Sequence, residues 1–139
     1  MPITSGFNHV ATLTTDMDLT VGFYEQVFDA KVTHVIERTD DHPYMKIVDV
    51  GGGAMLNVFE VPAEEIIGER RRQGGRGAVD HFAFAVTDRS TLEEIAERMR
   101  KAGAQEVGEI QVLGGVECSL FFRDPDGMEL EVCCPANAS

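Results

Sequence analysis

Residues 9–16 read His-Val-Ala-Thr-Leu-Thr-Thr-Asp, and residues 81–88 read His-Phe-Ala-Phe-Ala-Val-Thr-Asp. Both fit His-x-Ala-x-x-x-Thr-Asp, and the two copies stand 72 residues apart (81 against 9) in a chain of 139. Each copy alternates like a strand and closes on an Asp, a residue suited to cap a helix N-terminus with its carboxylate. The residues after each copy decide whether this is a duplication.

After Asp16, the positions Leu19, Phe23 and Val27, with Tyr24 and Phe28 beside them, are spaced for one face of a helix. After Asp88, Ser90-x-x-Glu93 reads as a capping box. Leu92, Ile95, Ala96, Met99 and Ala102 form the apolar stripe of a second helix, and Gly103 sits where a left-handed cap belongs. Three strand-like runs come after each helix, at about 30–38, 44–50 and 53–61, then at about 104–112, 116–123 and 127–134. Gly51-Gly-Gly53 and Asp124-Pro-Asp-Gly127 supply the turns before the last strand of each half.

The order strand, helix, three strands therefore occurs twice. The class is α+β, with a single domain over 1–139: module one at about 5–61, a linker at 62–78 and module two at about 79–134. A helix covers only one face of such a sheet, and the bare face needs a second module, a partner or a ligand. Duplication meets that need and places equivalent positions around a pseudo-twofold axis. A histidine from each first strand can then approach one central point.

Alternation assigns faces. In 79–87, Phe82, Phe84 and Val86 should pack on the helix, while His81, Ala83 and Ala85 line an open face. In the last strand, Leu130 and Val132 take the packing side and Glu129, Glu131 and Cys133 the open one. A buried lone carboxylate is costly, so Glu131 between two apolar neighbours wants a cation. Two imidazoles and a carboxylate, from His9, His81 and Glu131, suit one divalent ion of Zn, Fe, Mn, Co or Ni. Taken singly, each reads rather as an ordinary structural residue; their joint occurrence at repeat-equivalent places points to a metal.

The chain carries 24 Asp plus Glu against 12 Lys plus Arg, a formal net charge of −12. Such a chain repels phosphate backbones and anionic lipid, so neither nucleic acid nor a membrane is the expected partner. There is no apolar run near the roughly 20 residues of a membrane span. The start Met1-Pro-Ile-Thr-Ser-Gly-Phe7 lacks the pattern of a secretion signal, and a cytoplasmic location is the expectation. Cys118, Cys133 and Cys134 lack zinc-ribbon spacing and read as reduced thiols.

His9-Val-Ala, the helix from Asp16 through Phe23-Tyr24, and Val27-Phe28 resemble the first module of the vicinal oxygen chelate superfamily. That superfamily includes glyoxalase I, extradiol dioxygenases and bleomycin resistance proteins. Asp80-His81-Phe-Ala-Phe-Ala-Val86 looks like its second-module opening, and Phe121-Phe-Arg-Asp-Pro-Asp-Gly-Met-Glu-Leu-Glu131 like its closing hairpin. The resemblance covers nearly the whole chain, and the closing motif is its most specific part. It implies paired βαβββ modules forming a cup-shaped, partly open mixed sheet with helices outside, around one metal that chelates substrate oxygens. On matching positions, His9, His81 and Glu131 inherit the ligand role.

One position departs from the pattern. Members with four ligands carry a further Glu on the last strand of module one, which here reads Ala54-Met-Leu-Asn57-Val-Phe-Glu60. Moving Glu131 back by 72 residues lands on Phe59, so the register is open between Asn57 and Glu60. Asn57 aligns with the family's ligand place; Glu60 falls on the opposite face. Asn57 leaves two histidines and one carboxylate, like the facial triad of non-haem iron oxygenases. Glu60 would give a four-ligand site suited to lyase or isomerase chemistry.

The resemblance thus implies a metal-dependent enzyme of the glyoxalase and dioxygenase type acting on a small oxygen-bearing substrate, dioxygenase placed ahead of lyase or isomerase. The alternative is a non-catalytic small-molecule binder of the bleomycin-resistance type. A homodimer is the expected assembly. Arg70, Arg71, Arg72 and Arg76 read as a solvated charge run in the linker, or as a segment that closes over an anionic substrate.

Overall fold

The computed structural model describes residues 1–66, 79–104 and 106–137. Two compact units emerge, Met1–Ile66 and Ile67–Ser139, each with one helix and one four-stranded mixed sheet. Unit one runs β1 (His9–Thr14), α1 (Met17–Phe28), β2 (Lys31–Ile36), β3 (Tyr44–Gly51) and β4 (Ala54–Glu60). Unit two runs β5 (Phe82–Ala85), α2 (Arg89–Lys101), β6 (Gln111–Leu113), β7 (Glu117–Arg123) and β8 (Glu129–Pro135). The sheet orders are β1-β4-β3-β2 and β5-β8-β7-β6, with the first strand of each unit parallel to the last. The expected order of strand, helix and three strands is thereby found in both units.

Both helices begin on the repeated Asp. The Asp16 carboxylate accepts from the Leu19 N–H, and that of Asp88 from the Thr91 N–H. Asp88 also accepts from the hydroxyls of Ser90 and Thr91, at 2.9 Å each. These bonds, led by the Thr91 backbone N–H, favour the ionised form and hold its carboxyl at about 2. The expected capping box is therefore displaced: Asp88, not Ser90, is the cap, and Glu93 instead pairs with Arg89 one turn back. At the other end, Gly103 at φ +72 and the bonds Gly103 N to Arg100 O and Ala104 N to Met99 O close α2 in a Schellman motif.

In unit two the core is the anticipated stripe of Leu92, Ile95, Ala96 and Met99 against Leu120, Phe122, Leu130 and Val132. In unit one, Met17, Val21, Tyr24 and Val27 are buried, along with Val48, Leu56 and Val58 of the sheet. Leu19 is 59% exposed, which corrects its place in the stripe. The helix turns Met17, Thr20 and Val21 inward, because the phase is set by the later pair Tyr24 and Val27. Each well-buried aliphatic side chain contributes about 1.5–3 kcal/mol, so phase follows the larger sum.

The first expected strand after the helix of module two, 104–112, is the poorest match. Only Gln111–Leu113 pair as β6. Glu106 sits at φ 55, a conformation incompatible with a strand, and its carboxylate meets Arg123. Gly108 then passes so close to β7 that a Cβ would lie 3.2 Å from the Phe121 carbonyl oxygen. Its N–H bonds that same oxygen at 2.9 Å. A short 3₁₀ turn, Ala63–Glu65, opens the linker. The arginine run at 70–72 and 76 lies outside the described residues.

Candidate metal centre

Unit two builds its polar cluster on the sheet face turned away from α2. Parallel pairing sets Ala83 beside Glu131 and Ala85 beside Cys133. Antiparallel pairing sets Phe121 beside Glu131 and Ser119 beside Cys133. Side chains of Ala83, Ala85, Ser119, Phe121, Glu131 and Cys133 therefore share one face. Leu120, Phe122, Leu130, Val132 and Cys134 occupy the other.

His81 immediately precedes β5, and its Nε2 lies 2.9 Å from Oε2 of Glu131. Its Nδ1 lies 2.5 Å from Oδ1 of Asp80. The bond from Asp80, and then Glu131, raise the imidazolium above the usual histidine range against the opposing effect of burial. The ring stands edge-on to Phe121 with centroids 5.3 Å apart. Glu131 is only 6% exposed, and its Oε1 accepts from the Ser119 hydroxyl at 2.5 Å.

Glu117, Glu131 and Cys133 also bring one ligand atom each within 4.8 Å of one another. Glu117 is exposed, whereas Cys133 is half-buried. Burial, then the charges of Glu131 and Glu117, push the Cys133 thiol up. Both effects disfavour the thiolate, the nucleophilic form of the group.

In unit one, His9 opens β1 and is exposed; its Nδ1 lies 2.8 Å from Oδ1 of Asn8. Ala11, on the same face as His9, pairs with Asn57. Glu60 pairs with Thr14 on the opposite face, and its Oε2 accepts from the Met17 N–H at 2.9 Å. The Glu60 carboxylate thus serves the N-terminus of α1, where negative charge is favoured.

The two registers give an internal alignment. Ala11 and Ala83 are repeat-equivalent, with the offset of 72 (83 against 11), and they pair with Asn57 and Glu131 respectively. Asn57 is thus the counterpart of Glu131 at an offset of 74 (131 against 57). Two extra residues between helix and last strand in module two explain why a rigid shift of 72 falls on Phe59.

The structure therefore brings His81 and Glu131 together, and places His9 and Asn57 on one sheet face in the other unit. Sequence reasoning missed Asp80, Ser119 and Glu117. Asp80 was signalled by Asn8 at the repeat offset, and Ser119 by alternation along β7. As a test of fit, an imidazole and a largely buried carboxylate in contact, beside two alanines, form a donor set suited to borderline divalent cations.

Two βαβββ units, each with a histidine at its first strand and the second with a buried glutamate on its last, define a duplicated-module α+β class. The Glyoxalase/Bleomycin resistance protein/Dioxygenase superfamily model matches residues 6–132, and the chain belongs to that superfamily. Metallothiol transferase FosB of Shouchella clausii (strain KSM-K16) is 31% identical over 129 residues, 92% of this chain and 79% of that protein. A glyoxylase/bleomycin resistance protein/dioxygenase domain from Frankia sp. EAN1pec is 27% identical, with a TM-score of 0.76 over 95% of this chain and 98% of its own. A variant of FosX from Listeria monocytogenes, complexed with Mn(II) and 1S,2S-dihydroxypropylphosphonic acid, shares the fold. It is 20% identical, with a TM-score of 0.73 over 96% of this chain and 94% of that one.

Proposed function

We propose that the chain is a metal-dependent enzyme in which His9, His81 and Glu131 hold one divalent ion and a small oxygen-bearing substrate is chelated there. The observation that carries this reading is Glu131, a carboxylate 6% exposed that nevertheless faces an imidazole nitrogen at 2.9 Å. A buried carboxylate needs a cationic partner, and an ion seated between Glu131 and the imidazole would supply it while using both donors at once. When bound, the ion supplies Lewis acidity toward vicinal oxygens and, if it is iron, dioxygen chemistry.

The remaining work falls to the chain. Ala83 and Ala85 keep the face beside Glu131 free of bulk. Burial and the neighbouring carboxylates disfavour the thiolate of Cys133 as a competing nucleophile. Asn57 in the register place of Glu131, with Glu60 engaged at α1, supports a two-histidine, one-carboxylate set. On that ground dioxygenase chemistry is favoured. The likeness to a metallothiol transferase supports a second reading, metal-assisted transfer of a thiol to an electrophilic substrate. Homodimerisation, with the edge strands β1 and β5 covered by a second copy, and a cytoplasmic setting in keeping with three free cysteines complete the proposal.

Elemental analysis and titration with Fe(II), Mn(II), Co(II), Ni(II) and Zn(II) test the reading, with His81→Ala as the control. Stoichiometric binding lost in that variant supports it. Equal, weak retention by both chains would leave the bleomycin-resistance type of binder. Oxygen uptake by the iron-loaded protein with vicinal diols, against thiol consumption by the manganese-loaded protein with epoxides, separates the two chemistries.

A further inference from the structure

Each of the three residues proposed to hold the ion has its other polar atom tied by a neighbour. Oδ1 of Asn8 lies 2.8 Å from Nδ1 of His9, and an amide oxygen only accepts. The hydrogen therefore sits on Nδ1, and Nε2 of the neutral ring keeps its lone pair. Asp80 meets Nδ1 of His81 at 2.5 Å, so when an ion takes the place of the Nε2 proton the remaining hydrogen stays on Nδ1. Asn8 and Asp80 are themselves 72 residues apart (80 against 8), the offset of the histidines they serve. The third case is Ser119. Its hydroxyl donates to Oε1 of Glu131 at 2.5 Å, and both residues are buried.

We infer that Ser119, together with Asn8 and Asp80, is a positioning residue that selects the atoms offered to the ion: Nε2 of each imidazole and Oε2 alone of Glu131. The inference rests on the metal-centre reading above. Ser119 carries most of the effect. The Asp80 side chain is 68% exposed, so water and salt weaken its hold. The Ser119 bond lies in a low-dielectric interior, where breaking it without a replacement is costly. Strand register fixes its place, since Ser119 pairs with Cys133 and so stands diagonal to Glu131 on the same face. With Oε1 engaged, binding of an ion through Oε2 is favoured over a two-oxygen grip, and the carboxylate is held from swinging away to serve as a base.

The test uses the full chain with Co(II) alone as probe, in wild type, Ser119→Ala, Ser119→Thr and Glu131→Gln, each checked for folding by circular dichroism. Ser119→Ala should lower Co(II) affinity by roughly 10- to 100-fold. It should also change the intensity of the visible Co(II) bands as the second carboxylate oxygen joins. Ser119→Thr, which keeps the hydroxyl, should restore both. A purely structural serine would shift thermal stability and leave the spectrum alone. Folded Ser119→Ala with wild-type affinity and spectrum overturns the inference, as does Ser119→Thr behaving like Ser119→Ala. If Glu131→Gln binds Co(II) as wild type does, the metal-centre reading itself fails. A metal-free readout then remains: ¹⁵N NMR should show neutral His9 as the Nδ1–H tautomer and Asn8→Ala shifting it toward Nε2–H. An unchanged tautomer in Asn8→Ala overturns the selecting device.

Discussion

Glu60 offers the sharpest separation between a metal ligand and a structural carboxylate. Its Oε2 accepts from the Met17 N–H at 2.9 Å, one of the N–H groups that a helix N-terminus leaves without an internal partner. Glu60→Gln keeps an acceptor there and gives up the charge, a loss of about 0.3–1 kcal/mol at a helix terminus. Glu60→Ala also strands the N–H, which brings the cost to about 1–2 kcal/mol. Unfolding entropies near 2.1 cal/mol/K per residue give a chain of 139 residues a slope of about 0.3 kcal/mol per degree. The expected falls in Tm are thus about 1–3 °C for Gln and about 3–7 °C for Ala. Differential scanning calorimetry measures these, and Mn(II) titration of the same samples should find affinity within about twofold of wild type, since less than about 0.4 kcal/mol is in question. A tenfold or greater loss of Mn(II) affinity in Glu60→Gln with Tm unmoved would make Glu60 a ligand and refute the assignment to α1.

Acid should weaken the fold partly through Asp88. Its carboxyl is lowered to about 2 in the folded chain from 3.8, so its contribution is complete above the unfolded value and disappears as pH falls through the folded one. The Tm difference between wild type and Asp88→Asn should shrink between about pH 5 and pH 2, and a difference that grows on acidification would contradict the sign. Cys133 should react with iodoacetamide at neutral pH more slowly than a model peptide thiol, because burial and two neighbouring carboxylates raise it. Mass spectrometry of a time course reads this, and alkylation at the peptide rate would oppose it. Leu120→Ala, at a position with no exposed surface, should cost about 2–5 kcal/mol in urea unfolding. Leu19→Ala, 59% exposed, should stay within about 0.5 kcal/mol, and equal effects would contradict the observed helix phase.

The repeat made the architecture readable because its signals are local. Asp16 and Asp88 cap their own helices, and the alternation in Phe82-Ala-Phe-Ala85 needs no distant information. Three features resisted for physical reasons. The phase of α1 depends on which residues meet Val48, Leu56 and Val58 across the layer, so Leu19 could not be placed from spacing alone. Glu106 breaks the expected strand by a backbone conformation that its side chain does not announce. That Asn57, and not Glu60, shares the pairing register of Glu131 is concealed from a rigid offset by two extra residues in module two. The pairing of His81 with Glu131 was anticipated as a common purpose; the Ser119 contact was not, because hydroxyls on strands usually mean little.

The asymmetry between the halves has its own chemical consequence. Register equivalence puts an uncharged amide at Asn57 where the other module has the carboxylate of Glu131. On the proposed ligand set, two neutral imidazoles and one carboxylate leave a divalent ion with one net positive charge, whereas a second carboxylate would have cancelled it. A residual charge in a partly buried setting, where Coulomb interactions are several-fold stronger than in water, favours an anionic or readily ionised substrate oxygen. It also matters against the background of a chain whose net charge is −12, which repels free anions at long range. Recognition of an oxyanion must then be made at short range by the centre itself. On the proposed ligand set, Asn57, the residue that separates the two modules most plainly, ties the duplicated fold to an oxyanionic substrate.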